Sequence, residues 1–162
     1  MKRGGRIAAV GVGIVVAALG VMQLMPVQRP ELARAQSEPA DIAAPPQIEA
    51  TLRRACYDCH SDETHWPWYS AIAPVSWLVA HDVDYGRREM DFSQWQNYYP
   101  ATRLRKMEWM GRALHEEVMP PWPYRLMHPR ARLSNEERST LEQWVEAQVE
   151  ASQKGASTTP DH

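Results

Sequence analysis

The chain has 162 residues, 44% of them hydrophobic, with 18 Lys and Arg against 20 Asp and Glu. That is enough for one small domain, and a net charge of −2 excludes the basic surface a nucleic-acid partner requires. Only two cysteines are present, so a zinc site would be left short of sulfur ligands.

Lys2, Arg3 and Arg6 precede an apolar run over residues 7–25 that only Gln23 interrupts. A basic head followed by a segment near the ~20 residues that cross a bilayer predicts a signal-anchor over residues 1–26. The basic residues favour an N-inside orientation, which exports the remainder. The one small-residue cleavage candidate, Ala33-Arg34-Ala35, stands well beyond the run and after Pro26, which favours retention over a cleaved, soluble periplasmic form. Residues 27–45 turn to Pro, Ala, Gln and Glu and predict a flexible linker. Leaving out the three N-terminal cations, 15 basic residues face 20 acidic ones, a net of −5 for the exported part.

The folded domain is expected over residues 46–151. Pro45 and Pro46 suit a helix entry, and Ile48, Leu52, Ala55, Cys56 and Cys59 recur on one helical face. That face runs into Cys56-Tyr57-Asp58-Cys59-His60, the C-x-x-C-H spacing of covalent haem attachment. Two thiols one turn apart suit addition to two vinyl groups, and the adjacent imidazole suits iron. A redox dithiol, half a zinc site or a plain disulfide are the competing readings. No strand–helix–strand pattern surrounds the pair, zinc would need His60 and a distant histidine to complete an irregular tetrahedron, and an ordinary amphipathic helix that carries cysteines does not explain why His60 follows. A buried porphyrin would also supply apolar surface that so small a domain lacks.

His65-Trp66-Pro67-Trp68-Tyr69-Ser70 and Pro74-Val75-Ser76-Trp77 predict a rigid aromatic loop packed on the macrocycle, with a Trp N–H or the Tyr69 hydroxyl reaching a propionate. A simple aromatic core accounts equally well for any single Trp. Arg53 and Arg54 are better read as solvated than as propionate partners. A helix is expected over residues 76–88, with Gly86 near its end and His81 packed within it rather than ligating iron. Asp91-Phe92-Ser93 reads as a turn. A longer helix over residues 101–117 places Leu104, Met107, Met110, Gly111, Leu114 and, just past its end, Val118 on one core stripe.

Met119-Pro120-Pro121-Trp122-Pro123 ends that helix, because proline cannot continue it and stiffens the residue before it. A thioether held at a stiff exit suits the sixth position on iron, since its ordering entropy is already spent. Met107 and Met110 are accounted for as core, Met90 and Met127 lie near turns, and His115 and His128 read as surface. Ser134-Asn135-Glu136-Glu137 is a capping box, and Leu141, Trp144, Val145, Gln148 and Val149 trace the face of a last helix. Residues 152–162 predict a polar tail.

Cys56-Tyr57-Asp58-Cys59-His60-Ser61, Trp66-Pro67-Trp68-Tyr69-Ser70, Met119-Pro120-Pro121-Trp122-Pro123-Tyr124, His128-Pro129 and Leu133-Ser134 with Trp144 together carry a resemblance. From about residue 46 to 149 the chain resembles the bacterial haem-binding domain family, exported monohaem proteins related in layout to class I cytochromes c. The resemblance implies one haem c bound covalently through Cys56 and Cys59, with His60 as proximal and Met119 as distal ligand. It also implies an all-α, class I cytochrome c-like fold whose first and last helices cross. Ala50 and Leu52 depart from it, standing where many class I cytochromes c place a glycine and an aromatic.

Filled axial positions predict an electron carrier in the periplasm, anchored in the inner membrane and serving periplasmic or membrane redox proteins. The alternative is a haem enzyme or gas sensor with a labile sixth site, peroxidase-like, with His65 as its distal acid–base group. An accessory haem subunit of a larger membrane complex is a third reading.

Overall fold

The structure, a computed structural model, describes residues 2–29 and 41–157. Its regular elements are all helical: α1 (Lys2–Gln23), α2 (Pro46–Ala55), α3 (Tyr57–His60), α4 (Val75–Glu89), α5 (Pro100–His115), α6 (Trp122–Met127) and α7 (Asn135–Ser157). Short 3-10 turns lie at Trp68–Ala71, Phe92–Asn97 and Pro129–Ala131. The expected all-α class is therefore observed.

Among the described residues no helix is long and apolar enough to cross a membrane. The anchor expected over residues 1–26 is not shown. The cleavage candidate at residues 33–35 and the last five residues of the expected tail lie outside the described residues. Helix α7 runs to Ser157, past residue 152 where the tail was expected to begin. The linker is tied at both ends: Arg29 reaches Ser70 at 3.4 Å, and buried Ile42 donates its N–H to Phe92 O at 3.1 Å.

Helix α2 starts on Pro46 at its first position, where a missing N–H costs nothing. It buries Ile48, Leu52 and Ala55 and breaks at Cys56, whose φ of −125° leaves the helical region, so the haem motif sits on its own short turn, α3. Helix α7 begins at the capping box read from the sequence. Glu137 N–H donates to Ser134 Oγ at 3.1 Å, and Ser134 N–H donates to Glu137 Oε2 at 2.8 Å.

The core joins α2, α5 and α7 with the Phe92–Asn97 turn: Leu52, Phe92, Trp95, Met107, Leu114, Leu141, Trp144 and Val145 are all buried. Burying such side chains stabilises by about 1.5–3 kcal/mol each. Helix α7 packs chiefly along α5 and touches α2 less, so the first-and-last-helix contact implied by the class I likeness is the minor one. The cause is local: on α5, Gly111 lets Val145 come so near that a Cβ there would meet its Cγ1 at 3.3 Å, whereas Ala50 on α2 is exposed. Arg54 bonds the carbonyls of Arg130 and Arg132 and pairs with Glu137, clamping α2 to the start of α7.

Candidate haem site

His60 is 8% exposed at the end of α3. Its Nδ1 lies 2.9 Å from Met90 O, at the end of α4. A carbonyl only accepts, so Nδ1 carries the hydrogen. Burial, the largest influence on the ring, pushes its pKa below the usual histidine value and keeps it neutral at physiological pH. A neutral ring with hydrogen on Nδ1 has its lone pair on Nε2, the tautomer a metal needs. Phe92 at 5.9 Å and Trp109 at 6.5 Å between ring centroids hold the imidazole from two sides.

The motif lies close against α4 because Gly86 permits it. A Cβ on Gly86 would fall 2.5 Å from Cys59 O and 3.3 Å from Cys59 Cβ. Gly86 stands in the last turn of α4, near the helix end as the sequence reading placed it. A glycine inside a helical pattern is the available signal for such an approach.

The site is a cleft of about 280 Å³ whose walls include Cys56, Cys59 and His60 from the motif, Gly86 and Met90 from α4, Trp109, Met110, Ala113 and Leu114 from α5, and Met119, Pro120 and Pro121 beyond α5. The structure thus brings the four residues singled out from the sequence to one cavity. Both cysteines are free thiols, each pushed up to about 12 by burial first, so neither is a thiolate at neutral pH.

Helix α5 ends in a turn built on Glu117, a non-glycine residue at φ 55°. Val118 N–H donates to Ala113 O at 3.1 Å, folding the chain back so that Met119 reaches the cavity wall. Arg138 of α7 holds this turn, donating to Leu114 O at 2.7 Å and standing 3.7 Å from Glu117. Met110 and Met90 also line the cavity, so the stripe read as core on α5 turns one thioether to the site as well.

Other expectations are placed elsewhere. The aromatic loop does not line the His60 cavity; Tyr69 and His65 line a neighbouring one of about 270 Å³ with Val75, Leu78 and Met127. Tyr69 therefore reaches His128 at 3.4 Å instead of the haem cleft, because its short 3-10 turn packs on the first part of α4. His65, 89% exposed, is bonded to Asp58 at 3.2 Å. His81 is exposed and stacked on Tyr85, and His115 is exposed. Arg53 is engaged by Glu49 at 2.8 Å and Glu63 at 2.6 Å, not merely solvated. Sequence reading missed Trp109, the Met90 carbonyl and Tyr124, which donates to Asp58 Oδ2 at 2.7 Å between the two cavities.

The residues fit a haem on the structure's own terms: a neutral, Nε2-ligating histidine, two thiols and a largely apolar cleft. Among the described residues no cluster of three or more His, Cys, Asp or Glu is placed for a metal ion. A family profile described as a haem-binding domain matches residues 17–147. The chain belongs to the haem-binding domain family. This haem-binding domain protein is also 25% identical over 115 residues to a cytochrome c peroxidase, Ccp, of Escherichia coli strain K12, a match covering 67% of this chain and 24% of the relative. The chain thus spans about a quarter of that relative's length. No solved structure matches it.

Proposed function

We propose that this haem-binding domain protein is a periplasmic electron carrier at the inner membrane, with one haem c bonded through Cys56 and Cys59 and held by His60 and Met119. The observation that carries the reading is that His60 and Met119, 59 positions apart in sequence, border the same largely apolar cleft. Bound there, the haem supplies a one-electron couple, and Met/His ligation raises its potential relative to two histidines. The chain's own part is positional. Met90 O fixes the His60 tautomer, Gly86 admits the motif against α4, and Arg138 and Glu117 hold the turn that presents Met119. The protonated thiols keep the pair from thiolate chemistry until attachment.

A peroxidase-like reading draws on the printed name of the E. coli relative. The cavity opposes it: apart from His60 no imidazole lines the cleft, and Met119 is flanked there by Pro120, Pro121, Ala113 and Leu114. The chain matches a quarter of that relative's length, so the relative's activity is not carried over to it.

The test is the reduced visible spectrum of the full chain with and without carbon monoxide. The native protein should be unchanged and Met119→Ala should shift while keeping its haem. A shift in the native protein would transfer the bet to an open-site enzyme or sensor; an unresponsive Met119→Ala would pass the sixth position to Met110 or Met90.

A further inference from the structure

The end of α1 is clasped to the haem domain. Gln23 Nε2 donates to Ala73 O at 3.0 Å, and Ala73 N–H donates back to Gln23 Oε1 at 3.2 Å. Six residues on, Arg29 places its guanidinium 4.7 Å from the Trp66 ring centroid and donates to Ser70 Oγ. Val27, Gln28 and Arg29 border a cleft shared with Trp77, Ala80, His81 and Asp84 of α4. The segment leaving α1 therefore lies against the aromatic loop and α4 before the rest of the linker begins.

Around that clasp the surface is apolar and uncovered. Ile72 is the neighbour of Ala73 and is 45% exposed, Val75 two residues on is 41% exposed, Leu78 is 55% exposed, and Trp68, on the 3-10 turn packed against α4, is 75% exposed. Beyond Arg6, α1 exposes apolar side chains: Val10, Val12, Ile14, Val15, Val16 and Val21 are each more than half exposed. A helix hydrophobic on every side needs an apolar surrounding. The carboxylates of α4 are Asp82, Asp84 and Glu89, so its first two turns carry none.

We infer that the face formed by Trp68, Ile72, Val75 and Leu78 is seated on the lipid surface into which α1 enters, with Trp68 and the Arg29–Trp66 stack at the headgroup level. Tryptophan and arginine near an apolar segment's end are suited to that boundary. The inference rests on the reading of α1 as a membrane segment and adds an orientation: the domain does not swing on a tether but rests on one defined side. Along α4, eleven residues at ~1.5 Å each carry the chain about 16 Å from Val75 to Gly86. The haem cleft, bordered by Gly86, Glu89 and Met90 at the far end of α4, is thereby lifted clear of lipid and presented to partners in the aqueous phase.

The experiment uses the full haem-loaded chain in vesicles of phosphatidylethanolamine and phosphatidylglycerol. Nitroxides are placed by Ile72→Cys, by Val15→Cys on α1 and by Gln143→Cys on the exposed side of α7, and each is probed with oxygen and a water-soluble nickel complex. Positions 15 and 72 should be severalfold more accessible to oxygen than to nickel, and position 143 the reverse. Adding Gln23→Leu, which removes both bonds to Ala73, should return position 72 toward the aqueous pattern and leave position 15 unchanged. A lipid pattern at 15 with an aqueous pattern at 72 overturns the seating while sparing the membrane segment. An aqueous pattern at 15 overturns the membrane reading itself. Shielding of position 72 from both probes, with spin–spin broadening, would assign the face to a second copy of the chain instead.

Discussion

Gly86→Ala adds one methyl group to α4 and tests whether the haem motif depends on a close backbone approach. The new Cβ would fall 2.5 Å from Cys59 O and 3.2 Å from Cys59 C, both backbone atoms, so no side chain can swing aside. Relief to an ordinary contact requires α4 and α3 to separate by most of an ångström. Overpacking of this kind costs about 1–3 kcal/mol. Replacing glycine by alanine inside a helix returns about 0.5–1 kcal/mol. The balance is a loss of up to about 2 kcal/mol, or several degrees in Tm for a domain of this size. The shift also acts on His60, because Met90, whose N–H donates to Gly86 O at 2.8 Å, supplies the carbonyl that holds Nδ1. The assay pairs thermal melts with haem staining of denatured protein. Gly155→Ala in α7, where a Cβ meets nothing within 4 Å, serves as the control in which only the helix term acts. Gly86→Ala at native Tm with full covalent haem would refute the reasoning.

Ser in place of both Cys56 and Cys59 should abolish haem that survives denaturation, read by the same stain. Arg138→Ala removes a charged bond to Leu114 O from a side chain only 11% exposed, and should cost about 1.5–3 kcal/mol in a denaturant titration while making the iron more open to carbon monoxide. Glu117→Gly relieves a left-handed residue worth about 1–2 kcal/mol but gives up the longer pair to Arg138, so its stability should match or exceed native. The haem-free protein should show two opposing pH dependences. His60 has a folded pKa below its unfolded value, so the unfolded state binds more protons and stability is lost as pH falls through about 6.5. Asp91 is pushed up to about 6 by burial first and Asp62 second; the folded state then binds more protons, and stability falls as pH rises from about 4 to 6. Asp91→Asn should remove the second effect and steepen the acid loss in that window, as followed by urea midpoints.

What the sequence made legible was carried by side chains at fixed spacing. The Ser134–Glu137 box and the α5 stripe each state their structure locally, with Met107, Met110 and Leu114 in the core, whereas the pentapeptide of residues 56–60 falls on its own short helix after a break at Cys56. What stayed hidden was carried by backbone or by long-range approach. Met90 offers His60 a carbonyl, which every residue possesses and no pattern marks. Helix α6 was obscured because proline both ends helices and begins them: Pro120 and Pro121 close the α5 exit, and Trp122-Pro123 opens the next helix with proline in its first turn. The aromatic loop was assigned to the haem by composition alone, whereas its place is set by its packing against the first part of α4, which turns Tyr69 toward His128.

The division between core and cleft also bears on how the domain can exist before it holds its haem. Leu52, Met107, Leu114, Leu141, Trp144 and Val145 join α2, α5 and α7 in a continuous buried cluster, and of these only Leu114 also borders the haem cleft. That scaffold needs no porphyrin to be filled. The other wall is α4, which meets the cleft with Asp82, Tyr85, Gly86 and Glu89 and is tied to the motif by the His60–Met90 bond, by the tight fit at Gly86 and by Arg87, which donates to Ser61 O and to Thr64 Oγ1 at 2.9 Å each. The thiols thus stand between a three-helix core and a wall fixed chiefly to the haem motif itself and to the Trp68–Ala71 turn.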